Sequence, residues 1–430
     1  MALSWTQFLE NRSNKPYHFF ANPGAVRTVM VCSHIWWTDQ IAYAFLQAGC
    51  NVLVHFPFYL LYTDEAAHAR FDEMWKQILQ LIRDAKVDLI LGGNSAAMLV
   101  HPKTGEMIHE AAAAASGHKT TLVNWWWDEP RTKPPLATRG NVAPADFLRL
   151  LANPTALNAI WDLDVKEELE AGFGLKNLYH LPLATLPEYW PTAYVPMQNR
   201  PLATCFLGNC HFDASWAETD VNPLVAWARA VVQKKLQDPR LPMQRCMEEA
   251  TPPSGVPADP NVTPEPWLNM TWPPEVLNAV YMHYTRNRYV VAAERLLHGK
   301  LALIGKGWDK LGLRANMDHA GDKSGEIYAQ SQISLNLFGG CVHGGMPLRP
   351  FDIGASGGLI VTHDQRELPS LFEPGKECLS FRTEEEMIEI VEQVRARPSE
   401  FNGIAQGGRR RVLEEHTWLH RVQALLRRLS

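Results

Sequence analysis

The most informative stretch of the sequence is RTVMVCSHIWWTDQIAYAFLQAGCNVLVHF, residues 27–56. Two short and continuous apolar runs, 27–32 and 51–56, flank a segment, 39–50, whose apolar residues recur at helical spacing. Continuous apolar strands joined by a helix are typical of a parallel sheet that is covered on both faces. This stretch therefore predicts an α/β fold.

The same alternation of strand and helix continues along the chain. The other predicted strands are 87–93, 119–127, 156–162, 177–184, 203–209, 301–307, 333–338 and 358–364. The other predicted helices are 65–85, 105–117, 165–172, 287–298, 384–395 and 403–429. Residues 185–200 are rich in proline and predict a linker, whereas the proline-dense residues 235–275 predict a surface insertion. The pattern predicts two doubly wound domains, each with its ligand-binding edge at the carboxyl ends of its strands.

Composition narrows the class of protein. A chain of 430 residues suits two domains, and its formal net charge of −5 disfavours a protein that holds nucleic acid by charge alone. The seven cysteines include no CxxC pair, which predicts reduced thiols and a cytoplasmic setting. No apolar run reaches the length of a membrane span or a signal peptide, so neither is expected.

The segment after the strand 333–338 carries the main binding-site prediction. The loop 339–347, GGCVHGGMP, contains four glycines, which let a backbone approach a ligand closely. A helix start near Arg349 favours phosphate, Arg349 adds a planar charge, and Asp352 suits the hydroxyl pair of a ribose or hexose. The pattern fits a nucleoside diphosphate that carries a sugar. It fits equally well an Arg349 that neutralises a structural carboxylate, with Asp352 stabilising the helix dipole.

A resemblance to a known family extends this interpretation. The stretch LNLFGGCVHGGMPLRPFDIGASGGLIVTHDQRELPSLFEPGKE, residues 335–377, resembles the C-terminal signature of CgeB-type glycosyltransferases, which are relatives of the retaining GT-B group. EEHTWLHRVQALL, residues 414–426, resembles the closing segment of that family. The resemblance implies a GT-B fold with two Rossmann-like domains facing a cleft. It implies an acceptor-side domain over 1–190, a nucleotide-sugar domain over 191–410, and a final helix, 411–430, that crosses back to the first domain.

The resemblance and the local patterns together predict a donor site. Its predicted residues are Arg349, Asp352, His343, Gly344, Gly345, Lys306, Arg288, Gly208, Gly357 and Glu373. Two of them depart from the family pattern: Asp352 stands where the family usually has glutamate, and Gly344 stands where the wider group has a second glutamate. The stereochemical outcome of the transfer is therefore not predicted.

Three residues of the first domain are candidates for catalytic roles. Asp128 follows the buried strand 119–127, and His34 and Asp39 follow the first strand, so each lies where an acceptor base would reach the predicted cleft. A turn residue is the alternative for Asp128, and a histidine bonded to the backbone is the alternative for His34. The sequence has no DxD motif, and no metal site is predicted.

The predicted activity is transfer of a sugar from a nucleotide donor to a protein or saccharide acceptor, without an essential metal or another cofactor. The donor is expected to be linked to UDP, GDP or dTDP. Two alternatives stay open, which are a non-catalytic protein that binds nucleotide sugars and a GT-B-fold epimerase or hydrolase. A transferase that modifies nucleic acid is disfavoured by the net charge.

Overall fold

The chain divides into two compact units. The structure is a computed structural model that describes residues 3–12, 17–32, 36–55, 70–94, 96–128, 130, 149–190, 193–211, 215–219, 223–250, 274–339 and 342–430. The first unit contains Met1–Trp161, Val165–Pro182 and Trp418–Ser430, and the second contains Asp162–Asp164 and Leu183–Thr417.

The first unit is built on a seven-stranded sheet with the order β1-β3-β2-β4-β5-β6-β7. Its strands are β1 Tyr17–Phe20, β2 Thr28–Cys32, β3 Asn51–His55, β4 Leu89–Gly93, β5 Thr121–Trp126, β6 Ala156–Ile160 and β7 Leu178–His180. Every neighbouring pair is parallel except β1 and β3, which are antiparallel at one edge. The central strands β2 and β4 are buried at every residue, which explains their continuous apolar sequences.

Helices alternate with the strands of this unit. In the first part of the chain they are α1 Trp5–Arg12, α2 Trp36–Gln47, α3 Phe71–Asp84, α4 Ile108–Ser116 and α5 Leu163–Phe173. Helix α3 buries one apolar stripe, because Phe71, Trp75, Ile78 and Ile82 recur at helical spacing and are all buried.

The second unit is built on a five-stranded parallel sheet with the order β12-β11-β10-β8-β9. Its strands are β8 Leu202–Leu207, β9 Ala302–Ile304, β10 Ser331–Asn336, β11 Ile360–His363 and β12 Leu379–Phe381. The remaining helices are α6 Pro223–Gln237, α7 Met243–Glu249, α8 Pro274–Met282, α9 Arg288–Leu296, α10 Ser324–Gln330, α11 Arg349–Ala355, α12 Leu368–Leu371, α13 Glu384–Ala396, α14 Asn402–Glu415 and α15 Trp418–Arg428. A π-helical turn, His283–Asn287, joins α8 to α9.

The last helix, α15, belongs to the first unit. It packs on α2. The indole nitrogen of Trp418 donates to Gln40 Oε1 at 2.8 Å, and the ring of Trp418 meets that of Trp125 edge-on at 5.4 Å. The long amphipathic segment predicted over 403–429 is therefore two helices, and the chain leaves α14 at His416, whose N–H still bonds Val412 O.

The structure confirms the α/β class and the alternation of strands and helices. Two short strands, β1 and β12, were not predicted. The segment 235–275 is not a plain loop, because α6 extends to Gln237 and α7 follows it. The rest of that segment, 251–273, lies outside the described residues. Within the described part of the chain, no helix combines the length and apolar character needed to cross a membrane.

Candidate functional site

The strand order of the second unit reverses at β8, which lies between β9 and β10. In an open α/β sheet, the carboxyl ends of the strands on either side of such a reversal form the usual ligand-binding crevice. Here those ends lead into Gly208 and Asn209 after β8, and into Leu337 and Phe338 after β10. We call this place the β8–β10 end.

Arg286 fills the β8–β10 end from the π-helical turn. Its Nη1 donates to Asn209 O at 3.1 Å, and its Nη2 donates to Leu337 O at 3.3 Å. Its buried Nε has no hydrogen-bond partner among the described residues. Burial, and then the nearby charge of Arg349, lower the pKa of Arg286 to about 9. A buried guanidinium that bonds only neutral carbonyls is suited to receive an anion.

Arg349 is the second cation at this end. It is the first residue of α11, and its guanidinium carbon lies 5.5 Å from the centroid of the Phe206 ring, while that of Arg286 lies 5.8 Å from the same centroid. Within the described residues, no carboxylate forms an ion pair with Arg286 or Arg349. The two guanidinium groups are the strongest candidates for binding a diphosphate.

Gly208 makes room for Arg349, because a Cβ on Gly208 would lie 3.3 Å from Arg349 Nη2 and 2.9 Å from the Phe206 ring. The indole nitrogen of Trp308 donates to Gly208 O at 2.8 Å and fixes this backbone. Gly208, a predicted donor-site residue, thus lies next to Arg349 and next to Phe206, whose ring faces both arginines. Whether it contacts a donor stays a prediction.

The turn after β9 brings Lys306 close to the same strand end. Lys306 N donates to Asn209 Oδ1 at 2.9 Å, and Cys210 N donates to Lys306 O at 2.9 Å. Gly307, at φ +82°, permits this approach, since a Cβ there would lie 2.1 Å from Cys210 O. The ammonium of Lys306 is exposed, and no carboxylate of the described residues pairs with it.

Arg288, which the sequence analysis placed in the donor site, points elsewhere. It is 44% exposed, lies over the Tyr284 ring, and is 3.8 Å from Glu218 and 3.7 Å from Glu384. Arg286, two residues earlier, occupies the β8–β10 end instead. The π-helical turn decides which of the two arginines faces the strand ends, and the apolar periodicity of the sequence does not reveal such a turn.

The glycine loop is held by a carboxylate that the sequence analysis missed. Asp162 accepts from His343 N at 2.8 Å and from Gly344 N at 3.2 Å. A Cβ on Gly344 would lie 2.5 Å from Asp164 Oδ2, so only glycine fits there. Because Asp162 already engages the N–H groups of residues 343 and 344, these two groups do not offer free donors to a phosphate, contrary to the expectation for this loop. Gly345 is buried in the same loop.

Asp352 is buried on α11 and already has two protein partners. Its Oδ1 accepts from Thr185 Oγ1 at 2.6 Å and from the indole nitrogen of Trp190 at 3.1 Å. Burial raises the pKa of Asp352 to about 7, against the effect of these hydrogen bonds and of Arg349. The hydroxyl that meets this carboxylate here is that of Thr185. A contact with a sugar hydroxyl stays a prediction.

The two remaining donor-site candidates lie in turns. Gly357 follows α11 at φ +78°, and its carbonyl accepts from Arg200 Nη2 at 2.8 Å. Glu373 is exposed and pairs with Lys376. These contacts, with Arg200 and with Lys376, give Gly357 and Glu373 structural roles.

The catalytic candidates belong to the first unit. Asp128 follows β5 and accepts from Asn94 Nδ2 at 3.0 Å, while Asn94 Oδ1 accepts from the N–H groups of Trp127 and Asp128 at 2.8 and 3.1 Å. Asn94, at φ +52° after β4, is a partner of this candidate that the sequence analysis did not identify. Asp39 lies in the first turn of α2, and its carboxylate is 2.6 Å from Arg12 Nε. His34 lies outside the described residues.

The comparisons with known proteins agree with this architecture. Residues 286–427 match the model of a family described as glycosyl transferase-like. No curated protein matches the sequence. A sucrose-phosphate synthase from Thermosynechococcus elongatus is similar in structure, with 11% identity, a TM-score of 0.50, and coverage of 94% of this chain and 99% of that one.

HepE from Anabaena, solved in complex with UDP and glucose, is similar to the same degree, with 10% identity, a TM-score of 0.50, and coverage of 94% and 99% of the two chains. At this identity the likeness establishes the fold alone. The fold is that of the GT-B glycosyltransferases, as the sequence analysis predicted.

Proposed function

We propose that the protein is a glycosyltransferase that moves a sugar from a nucleoside diphosphate to a protein or saccharide acceptor. The observation that carries this proposal is the pair of guanidinium groups, Arg286 and Arg349, at the β8–β10 end without a carboxylate partner in the described part of the chain. The glycosyl transferase-like match begins at residue 286 and includes both arginines. A similar fold binds UDP and glucose in HepE, which supports a nucleotide sugar as donor.

The chemistry of the transfer explains why two arginines are needed. As the bond to the sugar breaks, negative charge grows on the leaving diphosphate, and fixed cations that face it lower the barrier. Arg286 is buried and donates to two backbone carbonyls, so its side chain needs little reorganisation when negative charge develops on the diphosphate. Lys306, on the adjoining turn, would add a third, mobile cation.

In this proposal the diphosphate charge is neutralised by side chains, and neither an essential metal nor another cofactor takes part. Asp128, Asp39 and His34 are proposed to serve the acceptor in the first unit, with Asp128 as the first choice for the catalytic base because it follows the buried strand β5.

We also propose that the protein is of the CgeB-like type and works in the cytoplasm. The six described cysteines are buried and no disulfide is formed among them, which supports a reducing compartment.

A non-catalytic protein that binds nucleotide sugars is the second candidate. Gly344 takes the place of a glutamate of the wider group, and a Cβ there would meet Asp164. One carboxylate oxygen of Asp352, Oδ1, already accepts hydrogen bonds from Thr185 and Trp190. Both observations favour binding without turnover.

The test is calorimetric titration with UDP, GDP, dTDP and their common sugars, first in EDTA and then with magnesium. Binding of one nucleotide in EDTA is the expected result, and it would identify the nucleobase of the donor. Release of free nucleotide from the matching nucleotide sugar, on addition of candidate glycans or peptides, then separates a transferase from a binding protein. Absence of binding by any nucleotide under both conditions would overturn the proposed donor site.

A further inference from the structure

The π-helical turn that presents Arg286 is held from outside the helix. Such turns are rare, are wider than an α-helical turn, and need contacts to persist. Here Arg288 N bonds His283 O, which is the spacing of a π turn, and all five residues of the turn are buried. The hydroxyl of Thr285 lies 2.7 Å from Tyr281 O and 3.0 Å from Phe338 O, so it links the turn to the end of β10.

His363 supplies a further external contact. It is the last residue of β11, and its Nε2 lies 2.7 Å from Thr285 O. Since a carbonyl oxygen only accepts, Nε2 carries the proton. Burial lowers the pKa of His363 to about 4, so the ring is neutral at physiological pH. The ring packs among Tyr289, Phe338 and Phe381, with centroids 4.7, 5.1 and 4.5 Å away.

The carbonyl that His363 holds belongs to the peptide unit joining Thr285 to Arg286. Fixing that peptide plane fixes the direction in which the Arg286 side chain leaves the helix. The guanidinium has little freedom at its other end, because a Cβ on Gly339 would lie 2.8 Å from Arg286 Nη2. A rotation of the peptide would therefore break the bonds of Arg286 with Asn209 O and Leu337 O.

We infer that His363 is a positioning residue that aims the guanidinium of Arg286 at the diphosphate of the donor. This inference rests on the proposed function, since it assigns to His363 a role in the same donor site. His363 itself touches no donor atom in this mechanism. It acts through the peptide of Thr285.

The variant that tests the inference is His363→Phe, which keeps an aromatic ring among the three neighbouring rings and removes the N–H donor. Loss of one neutral hydrogen bond that orients a binding group predicts about tenfold weaker nucleotide binding. His363→Gln carries an N–H donor at a similar reach and is expected to restore most of the affinity.

His416 offers a matched control. It is also buried, lies near Phe351 and Phe372, and its Nε2 bonds a backbone carbonyl, Leu371 O, at 2.8 Å. That carbonyl belongs to α12 and not to the π-helical turn. His416→Phe is therefore expected to cost stability in a similar way and to leave nucleotide affinity unchanged.

The experiment measures the affinity for UDP, GDP and dTDP of wild type, these variants, Arg286→Ala, and the double variant His363→Phe with Arg286→Ala. The expected result is a loss for His363→Phe that disappears in the Arg286→Ala background, because the histidine acts through that arginine. Three results would overturn the inference: wild-type affinity in a folded His363→Phe variant, an equal loss in the Arg286→Ala background, or an equal loss in His416→Phe. If wild type binds none of the three nucleotides, the proposed donor site fails and the inference with it, whereas binding by wild type with no change in His363→Phe removes the inference alone.

Discussion

Arg286 and Arg349 place their guanidinium groups 5.8 and 5.5 Å from the centroid of one ring, that of Phe206. Burial, and then the charge of Arg349, lower the pKa of Arg286. Two like charges are costly to hold together in a folded protein unless an anion joins them. The arrangement therefore favours binding of a ligand with at least two negative charges.

Arg286→Ala is expected to weaken binding of the nucleoside diphosphate by about 10- to 100-fold, because hydrogen bonds to a charged partner contribute about 1.5–3 kcal/mol. Arg288→Ala is the matched control, since Arg288 is partly exposed and lies near Glu218 and Glu384. Its affinity should stay within about twofold of wild type. Calorimetry on both variants checks this, and an equal loss in the two would place the diphosphate outside the β8–β10 end.

Arg349→Ala is expected to weaken the same binding while the fold survives. Arg349 is half-buried in the first turn of α11, where a shorter side chain leaves the helix backbone intact. The expected loss is again about 10- to 100-fold. Circular dichroism and thermal unfolding serve as the control for folding. Unchanged affinity in a well-folded variant would remove Arg349 from the donor site.

The fold was predictable from the sequence because central strands such as β2 and β4 are buried at every residue and amphipathic helices such as α3 carry one apolar stripe. The misses have physical reasons. Strands β1 and β12 lie at the edges of their sheets and bury only one residue each, so neither shows the continuous apolar run of a central strand. The carboxylate of Asp162 meets His343 across 181 positions of the chain, a contact that no local pattern encodes.

The choice between Arg286 and Arg288 shows how far the members of the candidate site could be predicted from the sequence. The sequence RNR places two arginines on one helix, about 200° apart around its axis. Which of them faces the strand ends depends on the π-helical turn. This turn is stabilised by contacts of Thr285 with His363 and with Phe338, which are distant in the sequence. Residue types predicted an anion site in this unit, but tertiary contacts determine its members.

Lys235→Met is expected to destabilise the protein, whereas Lys234→Met should not. The ammonium of Lys235 is buried, 3.7 Å from the buried carboxylate of Asp164 and 2.8 Å from Leu241 O. Among the described residues, Asp164 would keep only Arg366 as a cationic partner, so the free energy of unfolding should fall by about 2–4 kcal/mol. Lys234 pairs with Glu249 at the surface, and its loss should change that free energy by less than about 0.5 kcal/mol.

Urea denaturation of both lysine variants at pH 7 provides the measurement. Equal stabilities for the two would show that the buried pair contributes nothing beyond a surface pair. A loss of stability confined to Lys235→Met is the expected result.

Asp352→Asn is expected to change how stability depends on pH. Burial raises the pKa of Asp352 from its usual 3.8 to about 7, so the folded state favours the protonated carboxyl. This contribution to stability is fully present below pH 3.8 and is lost as the pH rises to 7, at up to about 1.4 kcal/mol per pH unit. Asparagine keeps an oxygen acceptor for Thr185 and Trp190 but does not ionise. The variant should therefore gain stability relative to wild type between pH 4 and pH 7, and the difference should level off above pH 7. Unfolding curves at pH 4, 5, 6, 7 and 8 measure it, and a constant difference across that range would show that Asp352 titrates no higher in the folded chain than in the unfolded one.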